Sequence, residues 1–270
     1  MGNASFSMLL HHKLSDKLKA FSTTRHGGCG TGNYSTMNIN RFCGDNIDVI
    51  DKNLNILCAE IGIDSDKIIM PHQTHGTEIL QISNNFLSLT PQQRNDCLEG
   101  IDALVTDIQG VCIGVSTADC IPVLLYDPDH HAVAAIHAGW RGTVGRIVER
   151  TIALMQSEYA TRAEALRAVI GPGIGLEAFE VGDEVYEAFR EAHFDMSSIA
   201  HRYPHEGGGE RWHLDLWEAN RQQLLAHGIP ADAIHVSGIC THTHHHDYFS
   251  ARRLGIHSGR ILTGVFFKGF

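Results

Sequence analysis

The sequence predicts a single domain of mixed α/β class. Short runs rich in β-branched residues alternate with segments of helical periodicity, but they form no regular strand–helix–strand repeat. No internal repeat and no linker-like stretch divides the 270 residues, a length that one large core can cover. We therefore expect one domain over residues 21–270, preceded by an N-terminal segment formed by residues 1–20.

Each element is predicted from its own local pattern. The first helix has apolar residues three or four apart and is closed by Gly62. The predicted helices cover residues 48–61, 143–159, 182–192 and 214–227, the last preceded by a polar, glycine-rich loop at 205–211. The predicted strands cover residues 67–70, 78–83, 102–106, 111–116, 121–126, 132–137, 167–170, 234–237 and 261–267.

Composition and charge limit the classes of partner. A formal net charge of -10 without a compensating basic patch argues against binding to nucleic acid or to an anionic membrane surface. The longest apolar runs are strand-sized, and the first ten residues lack the basic start and cleavage-site pattern of an export signal. The seven cysteines are odd in number and irregularly spaced, which is typical of a reducing compartment. We expect a cytoplasmic protein.

Three short segments place metal-ligand residue types at the ends of predicted strands. They are PHQTHG at 71–76, TADCIP at 117–122 and HAGWRG at 137–142, and their candidate ligands are His75, Cys120 and His137. Two imidazoles and a thiolate suit Zn²⁺ or copper, whereas Mg²⁺ and Ca²⁺ prefer oxygen. Three protein ligands leave one coordination position open, as in catalytic zinc sites. Asp119 is a candidate orienting carboxylate or general base beside Cys120.

The spacing of these residues also fits a less specific interpretation. A histidine at a strand end is commonly a hydrogen-bonded core residue, and a single cysteine commonly packs as a small apolar side chain. The dense histidine cluster at 242–246 is open to two interpretations as well, a metal-binding tract or a polar loop, and the loop is favoured.

The motifs together resemble those of the YfiH-like family, also called the laccase-domain or polyphenol-oxidase-like family and described as purine nucleoside phosphorylases. The resemblance extends from about residue 21 to near the C-terminus. The matching stretches are FSTTRHGG (21–28), PHQTHG (71–76), DALVTD (102–107), TADCIPVLLYD (117–127), AAIHAGWRGT (134–143), VIGPGIG (169–175), FEVGDEV (179–185), LDLWEANRQQL (214–224) and FSARRLGIHSGR (249–260).

The resemblance implies a fold, a ligand set and an activity. The implied fold is a single-domain, sandwich-like arrangement of mixed sheets flanked by helices, distantly similar to a bacterial deamidating toxin. The implied metal ligands are His75, Cys120 and His137. The implied reactions are phosphorolysis of adenosine, guanosine, inosine and methylthioadenosine, with phosphate as co-substrate, and hydrolytic deamination of adenosine.

Phosphorolysis requires an anion site as well. Arg25, Arg41, Arg141 and Arg252 are candidates to hold phosphate, because a guanidinium group offers two parallel hydrogen bonds. The GPGIG turn at 171–175 is a further candidate, through its backbone N–H groups. The sequence departs from the family pattern at Gly-Gly-Cys-Gly (27–30) and at Ala251, which replaces an expected aromatic residue.

Several other functions stay open. A metal-free cysteine hydrolase would use Cys120 as nucleophile with a histidine base. Some members of the family resemble peptidoglycan-editing hydrolases of misbuilt muramyl–amino acid precursors. Copper-dependent polyphenol oxidation is less favoured, because one three-ligand site does not provide the several metal centres of multicopper oxidases. A metal-dependent binding module without turnover is the non-enzymatic alternative.

Overall fold

The computed structural model describes residues 7–268. The strands in chain order are β1 (Leu9–His12), β2 (Leu18–Thr23), β3 (Ile68–Ile69), β4 (Ile79–Gln81), β5 (Ala103–Thr106), β6 (Cys112–Thr117), β7 (Ile121–Asp127), β8 (Ala132–Ala138), β9 (Arg167–Ile170), β10 (Glu180–Val181), β11 (Ala200–Pro204), β12 (Glu210–Leu214), β13 (Ile234–Val236) and β14 (Ile261–Phe267). The α-helices are α1 (Ile47–Ile61), α2 (Asn84–Ser88), α3 (Pro91–Leu98), α4 (Trp140–Val144), α5 (Ile147–Tyr159), α6 (Asp183–Glu191), α7 (Met196–Ile199), α8 (Leu216–Ala226) and α9 (Ala251–Leu254).

Two mixed sheets face each other and form the centre of the molecule. One has the order β1-β2-β14-β6-β3 and the other the order β13-β9-β7-β8-β5-β4, while β10-β12-β11 form a separate small sheet. Alternate residues of β8 point to opposite faces, so Val133 and Ala135 fill the core between the sheets. Ala134 and Ile136 pack on the other face, in the core that contains α5 and α8. The predicted mixed α/β class, with sheets flanked by helices, is confirmed.

The first helix forms where its pattern predicts. Asn46 caps α1 by accepting a hydrogen bond from the backbone N–H of Asp48 at 2.8 Å, and Gly62 ends it in the left-handed conformation at φ 75°. The buried face of α1, which includes Leu57 and Ile61, packs against the outer face of the five-stranded sheet. Sequence periodicity is sufficient here because one helix face meets one sheet face.

Two predicted helices were wrong in their bounds. The predicted helix over 143–159 is two helices, α4 and α5, because Arg146 adopts a left-handed conformation at φ 63° between them. The predicted helix over 214–227 begins at Leu216, after Asp215 accepts a hydrogen bond from the N–H of Glu218 at 3.0 Å. Leu214 instead ends β12, and part of the predicted 205–211 loop is the turn between β11 and β12.

The N-terminal segment contributes to the five-stranded sheet. Residues 1–6 of the predicted segment, and residues 269–270 of the predicted domain, lie outside the described residues. Residues 9–12 form β1, and the predicted start of the domain at residue 21 falls within β2. The division of the chain into an N-terminal segment and a domain stays a prediction. Along residues 7–268, no helix combines the length and the apolar composition that crossing a bilayer requires.

A buried polar chain crosses the five-stranded sheet from its edge. The ring Nε2 of His12 in β1 is hydrogen-bonded to the Ser22 hydroxyl at 2.9 Å, and Ser22 is hydrogen-bonded in turn to the Thr263 hydroxyl at 2.7 Å. Burial, together with the nearby charges of His235 and His11, lowers the pKa of His12 to about 4 from 6.5. His12 is therefore neutral in the folded protein at neutral pH.

The depressed pKa of His12 predicts a loss of stability in acid. Below pH 6.5 the unfolded chain gains a proton at His12 that the folded chain does not accept until about pH 4, so the free energy of unfolding falls across this window. The shift corresponds to roughly 3 kcal/mol. His12→Gln retains a hydrogen-bonding group and does not titrate. Between pH 7 and pH 4, we expect its free energy of unfolding, measured in urea, to fall by roughly 3 kcal/mol less than that of wild type.

The control is His11→Gln, since His11 is the exposed neighbour on the same strand. An equal loss of stability with pH in wild type and His12→Gln would contradict the assignment.

Candidate metal centre

Two paired strands and one loop bring the three predicted ligands together. β7 and β8 are antiparallel and place Pro122 opposite His137, so Cys120, two residues before Pro122, lies beside the end of β8. His137 lies on the same face of β8 as the residues of the inter-sheet core and is 3% exposed. His75 comes from the loop between β3 and β4. The ligand atoms of His75, Cys120 and His137 all lie within 4.8 Å of one another.

A buried carboxylate, Asp102, connects two members of this cluster. Its Oδ1 is 2.7 Å from Nδ1 of His137 and accepts a hydrogen bond from the backbone N–H of His75 at 3.0 Å. Its Oδ2 accepts from the N–H of Gly76 at 2.7 Å and from that of Thr74 at 3.3 Å. With Nδ1 donating to Asp102, Nε2 is the ring nitrogen of His137 that faces the cluster, and loss of its proton would free a lone pair for a metal ion.

The sequence indicates Asp119 as a candidate orienting carboxylate or general base, whereas the carboxylate that contacts His137 in the structure is that of Asp102. Asp119 accepts hydrogen bonds from the Thr241 hydroxyl and from the backbone N–H of Arg252, both at 2.7 Å. These bonds fasten the Cys120 loop to the loop after β13 and to the start of α9. A role for Asp119 as general base stays a prediction. The available signal for Asp102 was an acidic residue directly before the apolar β5, within a motif shared with the family.

The cluster is held by loops in a strained backbone conformation. His75 has φ 65° and Asp119 has φ 88°, a region in which residues other than glycine are uncommon. Such conformations cost on the order of 1–3 kcal/mol each and persist where neighbouring contacts fix them. The hydrogen bonds of Asp102 and Thr241 are the contacts that fix these two loops.

The cluster favours a thiolate next to an imidazolium. Burial alone raises the pKa of Cys120, but the charge and hydrogen bonds of His137 and His75 outweigh it and lower the pKa to about 6. Burial alone lowers the pKa of His137, but the charge of Cys120 and the hydrogen bond of Asp102 raise it to about 9. For Asp102, burial raises the pKa, while the His137 contact and the N–H groups of Gly76 and Thr74 give a net lowering.

The residues present fit a metal ion. The atoms that ligate a tetrahedral zinc ion are roughly 3.3–3.6 Å apart, so a group within 4.8 Å needs only a small closure. A thiolate and imidazoles are borderline-soft donors that suit Zn²⁺ or copper. The absence of a side chain at Gly139 provides space beside the cluster, because a Cβ there would lie 3.2 Å from Sγ of Cys120 and 3.2 Å from Cδ2 of His75. His137 is buried and His75 exposed, so the cluster opens to solvent on the His75 side.

The cluster lies in a cavity of about 260 Å³. The residues that line it are Asn40, Phe42, Cys43, His72, Gln73, His75, Ser116, Thr117, Ala118, Cys120, His137, Ala251, Ile256 and Arg260. Ala251, where the family pattern has an aromatic residue, is thus part of the cavity wall.

Of the arginines in residues 7–268, Arg260 is the one that lines this cavity. It is not among the four arginines that the sequence indicated as candidates. Arg25 donates to the carbonyls of Ser35 and His245, and Arg41 pairs with Asp51 beside a neighbouring cavity.

Arg141 and Arg252 are both exposed. The Arg141 guanidinium lies 4.2 Å from the Trp140 ring, and that of Arg252 donates to the carbonyl of Glu180. A phosphate-binding role for Arg25, Arg41, Arg141 and Arg252 stays a prediction.

The GPGIG turn has its backbone N–H groups committed to protein acceptors. Gly171 donates to the carbonyl of Pro122, Gly173 to that of Ile239 and Ile174 to that of Asp119. The N–H of Gly175 donates to Sγ of Cys240 at 3.2 Å. This turn therefore does not present free N–H groups to an anion, because they pair with Pro122 of β7, with Asp119 and with the loop after β13.

The histidine cluster at 242–246 forms a turn before α9. Nδ1 of His244 is 3.0 Å from the carbonyl of Cys240, and the His245 and His246 rings lie 4.1 Å apart. Within the described part of the chain, one group of histidine, cysteine or acidic residues is arranged so that it could hold a metal ion. This group is the His75–Cys120–His137 cluster. The polar-loop interpretation of 242–246 agrees with this arrangement.

The chain is similar over nearly its whole length to sequences of several named proteins. Residues 19–268 match the sequence model of the family described as multi-copper polyphenol oxidoreductase laccase. A purine nucleoside phosphorylase of Bacteroides thetaiotaomicron is 47% identical over 96% of this chain and 95% of its own length. Adenosine deaminase RL5, from an unknown prokaryotic organism, is 45% identical over 93% of this chain and 94% of its own.

Solved structures have the same fold. YlmD from Geobacillus stearothermophilus superposes with a TM-score of 0.88 at 29% identity, covering 97% of each chain. The hypothetical protein YfiH of Bacillus licheniformis gives a TM-score of 0.88 at 27% identity, also over 97% of each chain.

The space left by Gly139 predicts a sensitive position. We expect Gly139→Ala to lower zinc affinity by about tenfold or more, because the added methyl group crowds Cys120 and His75 by a few tenths of an ångström and displaces ligand atoms. Competition with a chromophoric chelator measures the affinity.

Gly207→Ala is the matched control, since Gly207 is exposed, does not adopt a positive φ, and an added Cβ would meet only the side chain of His205 within 4 Å. Zinc affinity equal to wild type in a folded Gly139→Ala protein would show that the cluster tolerates the methyl group.

Proposed function

The chain belongs to the multi-copper polyphenol oxidoreductase laccase family, and on this premise we propose that it is a metal-dependent purine nucleoside phosphorylase with adenosine deaminase activity. The observation that carries the proposal is a His–Cys–His cluster at the base of an open cavity. Support comes from relatives named purine nucleoside phosphorylase and adenosine deaminase, at 47% and 45% identity over almost the whole chain. The resemblance drawn from the motifs is confirmed.

We propose zinc as the metal, with copper as the second choice. His75, Cys120 and His137 would hold the ion, and Asp102 would keep His137 in the tautomer that ligation requires. A bound Zn²⁺ supplies Lewis-acid chemistry, stabilising negative charge that develops on an oxygen of the substrate or of water. Protein residues then bind the nucleoside and exclude bulk water from the reacting carbon.

The two reactions differ in the bond that changes. In deamination a water oxygen forms a bond to C6 of adenine, the C6–N bond breaks, and ammonia leaves with the transferred protons. In phosphorolysis a phosphate oxygen forms a bond to C1′ of the ribose, the C1′–N9 bond breaks, and the base leaves after gaining a proton. Both reactions need a polarised oxygen nucleophile and a proton donor, so one site that combines a metal with titratable groups could support them.

A metal-free cysteine hydrolase is the second candidate, because the cluster favours a thiolate beside an imidazolium. The same two residues serve as ligands in the first proposal. Copper polyphenol oxidation is disfavoured because the described residues offer one three-ligand group, whereas multicopper chemistry requires several linked centres.

The decisive experiment is a product assay with controlled metal content. Purified protein incubated with adenosine should form inosine without phosphate, and adenine, hypoxanthine and ribose 1-phosphate with it. Removal of the metal should abolish turnover, and stoichiometric Zn²⁺ should restore it. Cys120→Ala should reduce kcat by at least about 1,000-fold through loss of a ligand, whereas Cys97→Ala, at an exposed cysteine outside the cavity, should behave as wild type.

Each alternative predicts a different outcome. Full activity after metal removal would support the cysteine hydrolase, and retained turnover in Cys120→Ala would contradict both versions. Absence of product from every purine nucleoside would overturn the proposed function and make muramyl-precursor hydrolysis the next activity to assay.

A second test concerns Asp102. We expect Asp102→Asn to reduce zinc affinity or kcat by about 10–100-fold, because an amide interacts more weakly than a carboxylate with His137 and with the N–H groups of the His75 loop. Thermal unfolding and chelator competition measure stability and affinity separately. Asp96→Asn, on exposed α3, is the control; wild-type affinity in a folded Asp102→Asn protein would remove Asp102 from the site.

A further inference from the structure

Exposed large apolar side chains form part of the wall of the cavity that contains the cluster. Among residues 7–268, the large hydrophobic side chains that are exposed are Phe42 at 55%, Ile47 at 49% and Ile256 at 71%. Two of the three, Phe42 and Ile256, line the cavity that contains the cluster. Single exposed hydrophobic residues are ordinary, but two that line one cavity offer apolar surface to an apolar or aromatic ligand.

Phe42 forms a preorganised aromatic wall. Its ring stacks on that of His72 with centroids 3.9 Å apart and planes 18° apart. Nδ1 of His72 is 2.8 Å from each carboxylate oxygen of Glu99, and the backbone N–H of Phe42 donates to the Asn40 side chain at 2.8 Å. The ring is therefore held on one face and at its backbone, and more than half of the side chain remains accessible.

Ile256 forms the second wall, on the segment that follows α9. Arg260 donates hydrogen bonds to the carbonyl of Ile256 at 3.0 Å and to those of Ser258 and Gly259 at 2.6 and 3.0 Å. The guanidinium group thus fixes the turn that carries Ile256 while lining the same cavity. The Arg260 guanidinium donates to four acceptors of this turn, three backbone carbonyls and the Ser258 hydroxyl. It therefore stabilises the conformation of the wall.

We propose that Phe42 and Ile256 clamp the purine base of the substrate between them, with the base plane against the Phe42 ring. This inference rests on the proposed function and adds the element that recognises the base. An aromatic face binds any purine through stacking, independently of the groups at its edge, and a branched aliphatic side chain covers the opposite face. The clamp therefore accounts for recognition of adenine, guanine and hypoxanthine alike, while the cluster at the cavity base acts on the bound nucleoside.

Substitution of the walls separates base binding from chemistry. Phe42→Ala and Ile256→Ala should each raise the KM for adenosine and the Kd for free adenine by about tenfold, with kcat changed less than about twofold. Phe42→Leu keeps apolar volume without the aromatic face and should resemble Phe42→Ala. The Kd for ribose 1-phosphate, measured by calorimetry, should not change in any of them. Ile47→Ala, the exposed hydrophobic residue outside the cavity, is the control.

The outcomes distinguish the clamp from the function on which it rests. Wild-type Kd values for adenine in Phe42→Ala and Ile256→Ala, or failure of the wild-type protein to bind adenine, would overturn the clamp. Weakened ribose 1-phosphate binding in the same variants would also overturn it, because the walls would then shape the whole cavity. Adenine binding that depends on Phe42 in a protein without turnover would overturn the proposed function and leave the clamp intact.

Discussion

The carboxylate of Asp102 is the group on which the arrangement of the cluster depends. It is fully buried and bonds to the ring of His137 and to three consecutive backbone N–H groups of the His75 loop. Burying a carboxylate is costly unless it is paired and hydrogen-bonded, and these four contacts offset that cost. Because the same oxygen contacts His75 and His137, the two histidines cannot move independently of each other.

The sheets supply the rigid frame around this carboxylate. Asp102 directly precedes β5, His137 is near the end of β8, and Cys120 directly precedes β7, so three neighbouring positions at one end of the sheet hold the cluster. The loops at His75 and Asp119 take up the left-handed backbone conformation that turns their side chains to the required directions. The hydrogen bonds from Asp102 to the His75 loop and from Thr241 to Asp119 hold the two loops in this conformation.

The cavity above the cluster combines two kinds of recognition. It contains the thiol and imidazole groups of the cluster, and it is also lined by the exposed apolar side chains of Phe42 and Ile256. The arginines selected from the sequence lie elsewhere on the molecule or are bonded to protein groups, and Arg260 lines the cavity instead. A guanidinium group has a long side chain, so its chain position does not determine where its charge lies.

The sequence by itself determined the mixed α/β class, most strands, helix α1, and the identity of His75, Cys120 and His137 as a group. Periodicity and capping are local properties, and the three candidate ligands belong to motifs that are specific as a set. Only the tertiary structure decided the rest. It broke one predicted helix at Arg146, assigned the orienting contact to Asp102, and occupied the N–H groups of the GPGIG turn. These outcomes depend on contacts between residues distant in sequence, because a hydrogen bond or a left-handed turn is selected by the partner that packing brings to it.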